Sequence, residues 1–321
     1  MINVETDGIT QKTMALLANV SPSAVSRFIT SNHINSIESS GQRNLRYPIK
    51  DVRNIVKSLI DNNKNIVKKR HVFYNFKGGT GKTSICYQVS SHIALMGYRV
   101  LVVDADPQAH LSTSFGILND TDNLTLYDVI IGKQNPKNVI KEIYPGLDCI
   151  PSNLSLTRLE VDLNNMPKRE ERLSIELAQI EDDYDFIFID TNPTISILNR
   201  NIVTYSDFIN IVCETQPYSV NGLKLLMEDL EKFFFHMQMN KPSITMIPNK
   251  YEDRTASSAE SMTALRTYYS QYIKENFAIR KSEDIVTSSK LGKPLAFFAK
   301  KNSIALEDIV ELVHDIVKAS F

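Results

Sequence analysis

Residues 71–84 read His-Val-Phe-Tyr-Asn-Phe-Lys-Gly-Gly-Thr-Gly-Lys-Thr-Ser, an apolar run that breaks into the string Lys77-Gly78-Gly79-Thr80-Gly81-Lys82-Thr83. The run His71–Phe76 is short and rich in aromatic and β-branched residues, the make-up of a buried strand. Three glycines within four positions then let several backbone N–H groups converge on one phosphate. Lys82 supplies a charge for the β- and γ-phosphates. Thr83 offers a hydroxyl to Mg²⁺ at the positive end of a helix predicted over Thr83–Met96. The usual spacing G-x-x-x-x-G-K-[ST] is not met, because Phe76 stands where its first glycine would be, and Lys77 fronts the loop instead. A string K-G-G-x-G-K-[ST] arises by chance about once in 10⁷ windows at average residue usage. A glycine turn that binds nothing is therefore set aside.

The same texture spreads outward from the loop. Short apolar runs at Arg99–Asp104, Asp185–Asp190, Phe208–Cys213 and Ser243–Pro248 alternate with amphipathic stretches at Arg169–Ile180, Val220–Met237 and Ser258–Lys274. This alternation predicts an α/β fold, a P-loop NTPase-like, mostly parallel sheet with helices on both faces. A last helix over Ile304–Lys318 sets Leu306, Ile309, Val310, Val313 and Ile316 on one side. Two strands end in carboxylates. Asp104 and Asp106 stand two residues apart, on one side of a strand end near a metal-bound phosphate. Asp190 closes Phe186-Ile187-Phe188-Ile189, the arrangement that holds Mg²⁺ through water. An aspartate at a strand end is as often a helix cap, so these parts gain weight from their order on successive strands.

Bulk properties bound the rest. The 321 residues allow one large α/β domain and a small accessory one. A net charge of −1 excludes a whole-chain polycation and leaves room only for a local nucleic-acid patch. Cys86, Cys149 and Cys213 lie far apart without a CxxC pair, which excludes a zinc or disulfide framework and fits a reducing compartment. The chain opens on no charged-then-apolar leader and has no run of about 18 apolar residues, so a cytoplasmic protein without a membrane partner is expected.

The first 63 residues have a different texture. Thr10 caps a predicted helix holding Met14, Leu17 and Ala18 inward, and Asn19-Val20-Ser21 makes a turn. Ser21 followed by Pro22 is a favourable start for a second helix. That helix places Val25, Phe28 and Ile29 on one face and Ser23, Ser26, Arg27 and Thr30 outward, where a major groove would lie. A turn at Gly41 carries Arg43 and Arg46 as a basic wing tip, and a third helix runs over Ile49–Ile60. These features predict a small winged helix-turn-helix DNA-binding domain over residues 1–63, a linker at 64–70 and an ATPase domain over 71–321. A packing or dimerisation module without DNA contact stays open.

The loop, the Asp104-Ala105-Asp106-Pro107-Gln108 strand end and the Phe186–Asp190 run together resemble the deviant Walker A ATPases, specifically the ParA-type DNA-partition ATPases. Ile279-Arg280-Lys281 and Leu291-Gly292-Lys293-Pro294-Leu295 are similar to that family's basic segment and G-K-P turn, so the resemblance covers about residues 71–318. It implies ATP and Mg²⁺ as cofactors, with Gly78, Gly79, Thr80, Gly81, Lys82, Thr83 and Ser84 around the phosphates and Asn249 at the adenine. It implies Thr83, Asp104 and Asp190 in the metal region and Asp106 positioning the attacking water. It implies a homodimer that sandwiches ATP, in which Lys77 reaches the other subunit's phosphates. The partners it implies are DNA, bound without sequence preference through Arg280 and Lys281, and a centromere-binding ParB-like protein that stimulates hydrolysis at the nucleoid. Arg254, Arg266, Lys290, Lys293, Lys300 and Lys301 would extend the basic patch. The amino-terminal segment resembles the operator-reading domain of larger members, though it is shorter. Two departures stand near the pocket: Thr191-Asn192-Pro193, where a small residue and two prolines are usual, and Glu214, where proline is commoner.

The rival from another class is a transcriptional repressor that ATP merely modulates. A MinD-like membrane-cycling ATPase would need a basic amphipathic tail, whereas the last helix carries Glu307, Asp308, Glu311 and Asp315. An iron-protein-like electron donor would need paired cluster cysteines.

Overall fold

The computed structural model describes residues 2–4, 6–37, 45–60, 65–216, 219–300 and 302–321. Near the amino terminus, β1 (Gly8–Thr10) and β2 (Arg46–Pro48) form an antiparallel ribbon that pairs Gly8 with Pro48 and Thr10 with Arg46. Three helices accompany it: Gln11–Ala18, Pro22–Ser31 and Ile49–Leu59. Thr10 and Ser21 cap the first two by accepting the N–H of Thr13 and Ala24. Asn19 takes the left-handed conformation that ends the first helix and turns the chain.

Strands covered on both faces keep unbroken apolar runs, and five such runs build most of a seven-stranded sheet. They are β3 (Arg70–Tyr74), β4 (Val100–Ala105), β7 (Phe186–Thr191), β8 (Phe208–Glu214) and β9 (Ser243–Asn249), with β5 (Lys141–Tyr144) and β6 (Leu147–Ile150) at one edge. The order is β5-β6-β4-β7-β3-β8-β9, parallel except where β5 pairs antiparallel with β6. That hairpin was not legible in the sequence. It turns at Gly146, whose φ of +89° a side chain would resist.

Alternate side chains of each strand enter two cores. Phe73, Val100, Val102, Phe186 and Phe188 face the helices Lys82–Leu95 and Ile304–Ala319. Val72, Leu101, Val103, Ile187 and Ile189 face helices that include Leu156–Asn164, Ile197–Tyr205 and Ser219–Met237.

The first core does not stop at the sheet's own helices. Val25, Ile49, Val52, Ile55 and Val56 of the amino-terminal unit belong to the same buried cluster as Ile93, Leu95, Ile309 and Val313. Polar contacts line this seam: Lys293 Nζ lies 2.6 Å from Asp7, and His314 Nε2 lies 2.9 Å from the Leu17 carbonyl. Arg46, expected at a wing tip, lies at this seam, where its guanidinium donates to the carbonyls of Gly8 at 2.8 Å and Phe297 at 2.5 Å. The expected contact at Arg43, and the first residue of the linker expected over 64–70, lie outside the described residues.

Candidate active site

Five chain segments meet at the carboxyl end of the sheet, the edge where open α/β folds bind ligands. The loop after β3 lies between the ends of β7 and β8, and β4 stands beyond β7. Gly79 and Gly81 have φ of +78° and +97°, conformations that favour glycine, and a Cβ at Gly81 would strike the amide of Asn249. Gly81 is also the cap of the helix Lys82–Leu95 and, having no side chain, supplies no capping bond to its first N–H groups. The result is a cradle of backbone donors at a positive helix end.

Lys82 is 6% exposed and its ammonium lies 3.4 Å from the Lys77 carbonyl. Burial lowers its pKa, against the attraction of Asp190 and Asp106. Asp190 is fully buried, and among the described residues neither carboxylate oxygen has a partner at normal hydrogen-bond geometry, although the Thr83 hydroxyl lies close by. Burial and the neighbouring Asp104 push its carboxyl well up, opposed by the Thr83 hydroxyl and by Lys82. An unsatisfied buried acceptor of this kind requires a reason. A hydrated divalent ion beside Thr83 supplies the donors that Asp190 lacks, so the residues fit Mg²⁺. Among the described residues no group of three or more His, Cys, Asp or Glu is arranged to hold a metal ion by itself. An ion here would therefore draw on a hydroxyl, phosphate oxygens and water, the habit of Mg²⁺.

Asp104 sits directly opposite Asp190 in the β4–β7 register but has a different environment. It accepts from the Ser112 N–H at 2.8 Å, the Ser112 hydroxyl at 2.7 Å and the Asp106 N–H at 3.1 Å. Burial raises its pKa to about 6 despite those bonds. Its oxygens are already engaged in shaping the turn to Asp106. Asp106 is half-buried at the mouth, with one oxygen accepting the Gln108 N–H at 2.9 Å.

Lys77, at the front of the loop, pairs with Glu214 at 2.8 Å. Asn249 donates to the Thr80 carbonyl at 2.8 Å and so braces the loop. Two features escaped the sequence reading: Lys250, which reaches both Glu214 and the Gly79 carbonyl, and Asn75, whose side chain accepts the Lys77 N–H at 2.9 Å. No motif marks either of them. The unusual Thr191-Asn192 pair is satisfied locally, with the Thr191 hydroxyl donating to the Phe73 carbonyl and Asn192 accepting from Asn199.

The proposed DNA contacts lie elsewhere. Ser23, Ser26, Arg27 and Thr30 are exposed on the second helix, while Val25 and Ile29 are buried beneath them. Arg280 is clamped on Asp308 of the last helix through its backbone N–H at 2.9 Å and its guanidinium. Lys281 makes only an exposed pair with Glu252 at 3.0 Å. Lys301 is outside the described residues. None of the helices among the described residues is long and apolar enough to cross a membrane.

A parallel sheet with a glycine-rich phosphate cradle at its carboxyl edge defines the P-loop nucleotide-binding class of proteins. The family model described as an AAA domain matches residues 68–245. The chain is 30% identical over 250 residues to cell division protein PomZ of Myxococcus xanthus, covering 78% of each protein. It is 27% identical over 230 residues to chromosome partitioning protein ParA of Caulobacter vibrioides, covering 71% of this chain and 86% of that one. A cobyrinic acid a,c-diamide synthase from Mycobacterium smegmatis, solved with an ATP analog and magnesium, shares the fold. Its TM-score is 0.67 at 21% identity, over 78% of this chain and 95% of that one. The chain belongs to the ParA-type partition ATPases of this AAA-domain family.

Proposed function

We propose that this chain is an ATP-switched segregation enzyme of the deviant Walker A kind. Its ATP-bound homodimer binds DNA without sequence preference, and a centromere-binding ParB-like partner triggers hydrolysis and release at the nucleoid. ATP and Mg²⁺ are its cofactors. The observation that carries this reading is the buried Asp190 carboxylate, without a normal hydrogen bond among the described residues, beside buried Lys82 and Thr83's hydroxyl, behind a glycine cradle. Bound Mg²⁺ supplies charge neutralisation at the β- and γ-phosphate oxygens. The loop from Gly78 to Ser84 binds those phosphates through backbone N–H groups, Lys82 adds its charge, and Asp190 with Thr83 orients the ion's ligands. Asp104 acts one step back, fixing the turn that presents Asp106 to the attacking water. Lys77 serves the second subunit's nucleotide, as an arginine finger does elsewhere.

The DNA surface is centred on Lys281 with Arg254, Arg266, Lys290 and Lys300, all exposed. Arg280 contributes by bracing that segment against the last helix. The amino-terminal unit is a winged helix-turn-helix whose Ser23, Ser26, Arg27 and Thr30 read an operator of its own operon. The observation behind this second activity is that these four side chains are exposed on a capped helix whose other face is buried.

Random-sequence DNA binding measured with and without ATP and Mg²⁺ tests the switch. ATP is expected to promote binding, and Lys281→Ala to weaken it and flatten the log-affinity against log-salt slope by about 1. DNA binding indifferent to nucleotide would leave the ATP-modulated repressor as the better description. In the same preparation, Asp106→Ala is expected to bind ATP and dimerise while phosphate release slows by about 10²-fold or more. Turnover at the parental rate would remove Asp106 from that role.

A further inference from the structure

Glu214 ends β8 with a side chain that is only 9% exposed, and each of its oxygens takes one lysine. Lys77 Nζ lies 2.8 Å from Oε2, and Lys250 Nζ lies 2.7 Å from Oε1. Lys250 reaches this place because its backbone is left-handed, with φ of +58°, so the chain folds back just past β9. There its ammonium also donates to the Gly79 carbonyl at 2.5 Å. Asn75 holds the backbone N–H of Lys77 at 2.9 Å. The front lysine is thus gripped at main chain and ammonium alike, beside a cavity of about 120 Å³ lined by Asn75, Phe76, Lys77, Thr80, Cys213, Glu214 and Gly222.

A lysine meant for another subunit's phosphates cannot at the same time be held by its own subunit's carboxylate. The Lys77 side chain is 47% exposed, so its ion pair is partly screened and can open. Opening it would ordinarily strand a buried carboxylate, which is costly. Here Lys250 remains on the other oxygen, so the carboxylate keeps a partner after Lys77 leaves.

We propose that Glu214 is a positioning residue that holds Lys77 within its own subunit until nucleotide and a second copy of the chain arrive, and that Lys250 takes over Glu214 when Lys77 is released. The inference rests on the trans role of Lys77 given under Proposed function. It assigns a purpose to a residue that otherwise stands out merely as an unusual one at a strand end.

The test uses the full-length chain with ATP and Mg²⁺, without DNA or partner. Light scattering gives the ATP concentration for half-maximal dimerisation, and phosphate release gives basal turnover. Glu214→Gln frees Lys77, so that concentration is expected to fall roughly two- to fivefold, the fold-change equivalent to an exposed or half-buried ion pair. Lys250→Met leaves Glu214 with Lys77 alone and is expected to shift it the opposite way. The two signs together distinguish a latch from loosened packing, which would move both variants alike. In a Lys77→Ala background, Glu214→Gln is expected to change neither readout. A shift of the same sign in both variants, no shift in either, or an equal effect of Glu214→Gln with and without Lys77 overturns the latch. Should Glu214→Gln fail to fold, Glu214→Met, which also removes the charge, takes its place with the same expectations. The trans role fails separately: Lys77→Ala would then hydrolyse ATP at the parental rate.

Discussion

The two ends of the helix Lys82–Leu95 are finished in opposite ways. At its first turn the cap is a glycine, which supplies no capping side chain, and Asp190 nearby has two acceptor oxygens without a normal hydrogen bond among the described residues. At its last turn Arg53, from the helix Ile49–Leu59, donates to the carbonyls of Ala94, Tyr98 and Gly97. Gly97 itself lies so close to Lys57 that a Cβ there would clash. Helix ends leave unpaired groups that something must satisfy. One end keeps them for a ligand, and the other spends them on holding the amino-terminal unit.

That contrast breaks most easily at the scaffold end. Removing residues 1–60 strips the cover from Leu95, Met96 and the apolar side of the last helix, which share a core with Ile49, Val52, Ile55 and Val56. The expected result is a fall in thermal midpoint on the order of 10 °C, with ATPase activity lost at moderate temperature. A shortened chain that melts and turns over like the parent would make the amino-terminal unit a tethered module, as the linker expected over 64–70 implies.

A smaller change sharpens the point. Arg53→Ala removes charge-assisted bonds to the carbonyls at the helix end and should cost about 2–3 kcal/mol in denaturant unfolding. Nucleotide affinity should stay near the parental value, because the substitution is at the far end of the helix from the cradle. An affinity loss as large as the stability loss would show that the two ends are not independent.

The lower end of β3 offers a third, pH-dependent reading. His71 is fully buried, stacked on Phe208 at 4.7 Å and bonded to the Ser320 hydroxyl, and burial lowers its pKa to about 3. The folded chain keeps it neutral while the unfolded chain protonates near pH 6.5, so its stability contribution is present above that pH and lost as pH falls toward 3. The loss attributable to His71 is about 2 kcal/mol between pH 6.5 and 5. His71→Phe should remove that part of the slope, measured by urea unfolding across the range. An unchanged slope would place the titrating group elsewhere.

How much of this could be read beforehand depended on how local the cause was. The strands β3, β4, β7, β8 and β9 were legible because a sheet covered twice leaves apolar runs such as Phe186–Ile189. The caps at Thr10 and Ser21 were legible because capping needs a side chain only three residues from its N–H partner. The β5–β6 hairpin escaped because Lys141–Tyr144 is an exposed edge with no continuous apolar run. Arg46, Arg53 and Arg280 escaped for a different reason. Each is an arginine whose partner is far away in sequence, Phe297, Ala94 and Asp308 respectively, so nothing nearby separates a structural arginine from one reserved for DNA. In the site, the loop and Asp190 were legible from their motifs. The engagement of Asp104 with Ser112 and the grip of Glu214 on two lysines depend on contacts that only the fold brings together.

The central claim is that the unsatisfied end of the helix Lys82–Leu95 is a Mg²⁺-dependent ATP site, and equilibrium binding of a fluorescent ATP analogue tests it most directly. Parental chain with Mg²⁺ should bind, and Lys82→Ala should lose affinity by roughly 10²-fold, since a buried charge aimed at the phosphates is worth on the order of 3 kcal/mol. Thermal midpoints without nucleotide show whether the variant is folded. A folded Lys82→Ala chain that binds the analogue as tightly as the parent would contradict the assignment.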